Sequence, residues 1–298
     1  MKKRVITGFL MGVVMLPILI LGGWFMFGLA VILSYMATYE LVKMHSEKRN
    51  LSKKYKFIIP LFSSMLVALG IFTYLLKDYF ELNDLIFALI VIFSLLMVVS
   101  LFNGELHTTD ILIFFGFILY AGLGIFLATS SRYITNINGE ENKWFGLVLM
   151  SYVLLTTMFT DMGAYNFGLL LGKHKLCPTI SPKKTIEGAI GGSLCGTIVG
   201  TLLLCLCEHY MNFNLLSISN SVLNVVVIGV ITLVLTIFAQ FGDLVASKLK
   251  REYEIKDYGF IFPGHGGVMD RFDSIIMTGT IFMVILILIG VVVIWFNL

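Results

Sequence analysis

Charge is scarce in this sequence. Of its 298 residues 13% are Asp, Glu, Lys or Arg, whereas 58% are hydrophobic and the mean hydropathy is +0.94. A water-soluble core could not hide that much apolar surface, so the one or two soluble domains that the length alone would suggest are excluded. Cysteine is scarce too: Cys177, Cys195, Cys205 and Cys207 form no CxxC pair and have no His partner at metal-ligand spacing. That excludes a disulfide framework or a zinc site and leaves them as small packing residues. The net charge of +3 comes with no basic run interleaved with aromatics, so nothing points to nucleic acid. Neither a fixed-period repeat nor a low-complexity segment is present.

What the chain has in abundance is apolar length. Residues 5–21, 22–42, 57–76, 84–102, 111–129, 144–171, 186–207, 222–241 and 274–296 each approach or exceed the roughly 20 residues that cross a bilayer as a helix. Lipid offers backbone groups no partners, so each is expected to be helical. The expected fold is all-α and polytopic, with about nine transmembrane helices. The basic, apolar start resembles a signal peptide, but the further apolar passes that follow at once argue for a first span.

With the N-terminus cytoplasmic, 18 of the 21 Lys and Arg residues fall in inner loops, leaving Lys77, Arg132 and Lys143 outside. The expected location is therefore integral and multi-pass in a bacterial inner membrane, with the N-terminus and the charged groups described next on the cytoplasmic side. Residues 1–143, with about five spans, hold no site-like cluster; Glu40 and His45 are expected to be interfacial. Residues 144–298, with about four spans, gather polar residues at the cytoplasmic helix ends, and a catalytic cleft is expected there.

Three groups stand out. Asp161 lies inside an apolar run, where an ionisable side chain is costly unless it faces protein or water. Gly163, Gly168 and Gly172 follow it and permit close helix packing. In SPKKTIEGAIGG, Ser181 reads as an N-cap and Pro182 as the first helical residue, so free backbone N–H groups with Lys183 and Lys184 would suit a phosphate. Glu187 lies one turn further on. Asp243 and Ser247, four apart, share a helical face, as do Asp270 and Asp273, three apart at the next span. A carboxylate near a helix C-terminus needs a compensating cation. Three such acids suit Mg²⁺, which keeps waters and shares itself with substrate phosphates. Between them PGHGG offers a tight turn whose amides can approach an anion; His265 has no zinc-spaced partner and is expected to hydrogen-bond a phosphate or carboxylate. Metal-binding acids and phosphate-binding bases on one membrane face are the minimum kit for phosphoryl or nucleotidyl transfer.

The run Ser247, Leu249, Lys250, Arg251, Lys256, Asp257, Gly259, Ile261 or Phe262, Pro263, His265, Gly266, Gly267, Asp270, Arg271, Asp273 resembles the signature of the phosphatidate cytidylyltransferases, or CDP-diacylglycerol synthases. The Asp161, Gly163, Ala164, Tyr165 cluster and SPKKTxEG are similar to that family as well. Met162 departs from the small or hydroxylic residue expected there, and Ile186 from a common aromatic. The resemblance implies Mg²⁺-dependent conversion of CTP and phosphatidate to CDP-diacylglycerol and pyrophosphate. It implies Asp243, Asp270 and Asp273 as metal ligands, with a second cation left open. Lys183, Lys184, Lys250, Arg251, Lys256 and Arg271 become candidates for the triphosphate and the lipid phosphate, Lys256 and Arg271 nearest the chemistry. Asp161, Ser181, Glu187, Ser247, His265, Gly266 and Gly267 are expected to bind substrate. A homodimer is left open. The rivals are another membrane transferase acting on a lipid phosphate, and a secondary transporter, whose coupling acids would lie near the midplane.

Overall fold

The computed structural model describes residues 2–296 except 77, 78, 80, 81, 136–143, 212, 214, 217, 219, 263 and 265. The chain is an all-α polytopic membrane protein. Eight of its helices are long and apolar enough to cross a membrane, and a shorter apolar helix, Gly8–Leu21, precedes them among the described residues. The contacts divide the chain into two units, Met1–Tyr133 with Glu252–Phe272, and Ile134–Arg251 with Asp273–Leu298.

The first unit holds α1 (Lys2–Leu21), α2 (Gly23–Lys48), α3 (Tyr55–Leu75), α4 (Leu82–Leu101), α5 (Thr108–Phe117) and α6 (Gly124–Ser130). Ala30, Ser34, Ala37, Thr38 and Leu41 of α2 are fully buried at helical spacing. Small side chains let α3 come close: Ser63 Oγ lies 2.7 Å from Ser34 Oγ and accepts from Thr38 Oγ1 at 2.8 Å. Such hydroxyl links between apolar helices contribute about 1 kcal/mol each. A π-helical segment, Ile118–Leu123, joins α5 to α6, and its Gly122 leaves the space that Ser63 occupies. Arg132 donates to the carbonyls of Leu19 and Ile20 at 2.8 and 2.9 Å, satisfying the last turn of α1.

The second unit holds α7 (Phe145–Leu171), β1 (Lys175–Cys177), β2 (Ser181–Thr185), α8 (Ile186–Met211), α9 (Ser221–Glu252) and all but the first turn of α10 (Met269–Phe296). Two rows of small residues, each with a period of four, run antiparallel along α7 and α8. Gly200 faces Thr156, Gly196 faces Thr160, Gly192 faces Ala164 and Gly188 faces Gly168. A Cβ at Gly192 would lie 2.7 Å from the Thr160 carbonyl and 2.9 Å from Ala164 Cβ, so the two backbones are in direct contact.

Ser181 and Pro182 do not start a helix. They belong to β2, which pairs antiparallel with β1, and α8 begins at Ile186. The cap is Thr185, whose Oγ1 accepts the Gly188 amide at 3.1 Å. Ladder pairing from Thr185 back to Ser181 holds these residues extended, which the Ser-Pro cue alone could not reveal. Lys183 and Lys184 therefore stand on a hairpin rather than in a first helical turn.

Candidate active site

Several elements of the second unit deliver polar side chains to one place. Asp243 comes from α9, and Ser247 one turn on donates to Asp243 Oδ1 at 3.2 Å, as their spacing predicts. Lys184 comes from β2, and its Nζ lies 2.6 Å from Asp243 Oδ2. This is the compensating cation the carboxylate needs, although α9 runs on to Glu252, well past Asp243. Asp273 comes from α10, is 7% exposed, and accepts the Ser274 amide on Oδ1 at 2.7 Å. Gly242 explains the meeting of these helices: a Cβ there would lie 2.6 Å from the Asp273 carbonyl oxygen. Asp273 is within electrostatic reach of Asp243, Lys250 and Asp161. Arg251 Nε donates to the Ile180 carbonyl at 3.3 Å, tying the end of α9 to the hairpin. Lys183 and Asp161 are exposed, and Ser181 is half-buried.

In the first unit, the signature loop leading into α10 is held by carboxylates. Asp270 Oδ2 accepts the amides of Tyr258 and Gly267 at 2.8 and 3.0 Å. The Phe262 amide donates to the Gly266 carbonyl at 2.9 Å, closing a turn in which Gly264 and Gly266 have φ +79° and +85°. Glu40 of α2, 2% exposed, accepts the Val268 amide on Oε1 and the Met269 amide on Oε2, both at 2.9 Å. The amide of Gly267, expected to approach a substrate anion, is thus held by the protein's own Asp270. Lys256 and Arg271 are exposed; Pro263 and His265 lie outside the described residues.

The whole chain can be set beside known proteins. The model of the cytidylyltransferase family matches residues 2–289. The chain belongs to that family. A phosphatidate cytidylyltransferase of Staphylococcus haemolyticus is 35% identical over 277 residues, covering 92% of this chain and 94% of the relative. Proteins of the same name from Staphylococcus aureus (strain COL) and Staphylococcus saprophyticus are each 34% identical, over 282 and 279 residues, with the same coverage.

For a cytidylyltransferase, the pair of Asp243 and Asp273 offers hard oxygen donors suited to a divalent cation that keeps water and takes phosphate oxygens. Among the described residues no three Asp, Glu, His or Cys side chains form a ready-made cage.

Several residues of this family member escape the sequence reading. Glu40 and His45, expected to be interfacial, are buried within the protein. His45 Nε2 lies 2.8 Å from Asp110 Oδ1, and its Nδ1 2.8 Å from the Tyr253 hydroxyl. Arg49 Nε adds a 3.2 Å bond to the same Asp110 oxygen. Burial, with Glu252 and Asp110 nearby, pushes the Tyr253 phenol above its ordinary pKa, so its proton stays on at neutral pH. Glu187, expected to bind substrate, holds His174 Nδ1 at 2.6 Å and accepts the amides of Lys173 and His174. It thereby clamps the start of the hairpin that carries Lys184. An acid inside the apolar run of α2 was the one available signal for Glu40; the partners of His45 and Glu187 are too distant in sequence to be read.

Proposed function

We propose that this chain makes CDP-diacylglycerol and pyrophosphate from CTP and phosphatidate in an Mg²⁺-dependent reaction. The observation that carries the proposal is the buried Asp273 beside Asp243, itself paired with Lys184, in a chain that matches relatives of that name over almost its full length. Asp243 and Asp273 would hold the cation, and Asp270, which holds the signature loop, is a further residue on which turnover is proposed to depend. When bound, the cation offsets the charge of two anionic reactants.

The lipid phosphate is already an anionic nucleophile at neutral pH, so no covalent enzyme intermediate is needed. Its oxygen forms the new bond to the α-phosphorus of CTP while the bond to the pyrophosphate oxygen breaks in line. Lys184 is poised to exchange its carboxylate partner for a phosphate oxygen, and Lys183, Lys250, Arg251, Lys256 and Arg271 supply further positive charge. Ser181, Ser247 and Asp161 orient the substrates. Acyl chains stay in lipid while the head group lies at the interface, with the N-terminus and reactive groups on the cytoplasmic side of a bacterial inner membrane. The placement of 18 of the 21 basic residues in loops of one side supports that orientation.

The test is direct. Purified protein in detergent, given CTP, phosphatidate and Mg²⁺, is expected to release pyrophosphate and form CDP-diacylglycerol. Correctly inserted protein that forms no product would defeat the proposal, and product from ATP but not CTP would overturn the choice of base.

A further inference from the structure

One carboxylate in the molecule is placed where neither composition nor the signature leads the eye. Glu40 lies eight residues from the end of α2, deep in an apolar helix, and is 2% exposed. Its two oxygens are divided between two consecutive amides, Val268 to Oε1 and Met269 to Oε2. Those amides belong to the unsatisfied first turn of α10, where a negative charge is favoured by the helix dipole. The surrounding backbone is shaped to the carboxylate. At Gly259 and Gly267 a Cβ would overlap Glu40, so a larger residue at either position would force the carboxylate or the loop to shift. Asp270 takes the amides of Tyr258 and Gly267, so the two acids together bind four amides of one loop, three of them consecutive.

We propose that Glu40 is a positioning residue: by clamping the amides of Val268 and Met269 it fixes the first turn of α10, and with it the direction of Asp270. The role rests on the reaction proposed above only in its consequence for turnover; the clamp itself is independent of it. A glutamine cannot replace the glutamate. Its single carbonyl oxygen can accept one amide, and its NH₂ group would then face the other amide, donor against donor. An aspartate keeps the charge on a stem one methylene shorter and can still reach one or both amides with a small shift of the loop.

The experiment uses the full-length protein in detergent and its E40Q and E40D variants. Hydrogen exchange is followed in peptides covering residues 258–272, without substrates, and kcat and KM are measured for CTP and phosphatidate. For E40Q, exchange in that segment is expected to accelerate about tenfold or more while the remaining helices keep their protection. Its kcat is expected to fall about tenfold or more, with both KM values within about threefold of the parent. E40D is expected to recover much of both losses. Unchanged exchange at 258–272 in E40Q overturns the clamp, and faster exchange with an unchanged kcat overturns its link to Asp270. Faster exchange throughout the protein, or E40D no better than E40Q, would make Glu40 a general packing residue and overturn the proposal. Should the parent protein form no CDP-diacylglycerol, the reaction assignment fails while the exchange measurement still decides the clamp.

Discussion

The acids of the two units are spent in opposite ways. In the first unit Glu40 and Asp270 each bind two backbone amides, and Asp110 binds His45 and Arg49. In the second unit Asp243 and Asp273 lie close enough to repel, with Lys184 bonded to the first and Lys250 within reach of the second. Amide-bound acids are satisfied as they stand and hold backbone in place. On the reaction proposed above, Asp243 and Asp273 are the acids that would take up a cation rather than hold backbone in place. On that proposal, a carboxylate is a fastener in one unit and a reactive group in the other.

The contrast is broken most severely at Asp273. Asp273→Asn keeps the shape and removes the charge, and turnover is expected to fall about a thousandfold with membrane insertion intact, read as CDP-diacylglycerol formed per mole of inserted protein. Near-normal turnover would move the reactive pair elsewhere. Lys184→Ala comes next, with an expected loss of about 10- to 100-fold and a rise in KM for CTP; Lys184→Arg should lose less, because the charge survives at a changed geometry. The first unit should respond in the other currency, stability. Asp110→Ala strands His45 and Arg49 and is expected to cost about 3 kcal/mol, seen as a lower melting temperature in detergent. The folded fraction should keep a kcat within about threefold of the parent. If Asp110→Ala instead abolished turnover without lowering the melting temperature, the division between fastening and reactive acids would be wrong. Gly196→Ala is the mildest probe: its Cβ would meet Thr160 and Thr236, and overpacking of this kind costs about 1–3 kcal/mol, again without a change in substrate affinity.

The spans were legible because hydrocarbon leaves a chain so little choice. Apolar runs at residues 144–171 and 186–207 became α7 and α8 almost to the residue, whereas α9 ran from Ser221 to Glu252, beyond the apolar stretch that announced it. Polar residues at the end of α9 carry no period-breaking signal, so hydropathy stopped where the lipid stops and the helix did not. The pairing of Asp243 with Ser247 was legible because it is local. Lys184 was recognised as a useful cation, but its partner 59 residues away depended on a hairpin that the Ser-Pro dipeptide disguised. Glu40 shows the limit most clearly. Its partners are backbone amides some 228 residues away, and an amide has no letter in a sequence.

The length of α9 has one more consequence. Its 32 residues extend about 48 Å at 1.5 Å per residue, while the hydrocarbon layer is about 30 Å thick. A rod longer than its medium can serve as a measuring stick, because tilt absorbs part of the excess and the polar residues beyond its apolar stretch take up the rest outside the oily interior. Asp243, Ser247, Lys250 and Arg251 lie past the apolar stretch 222–241 of this helix, and on the reaction proposed above that is the level at which a lipid's phosphate and a dissolved nucleotide would meet.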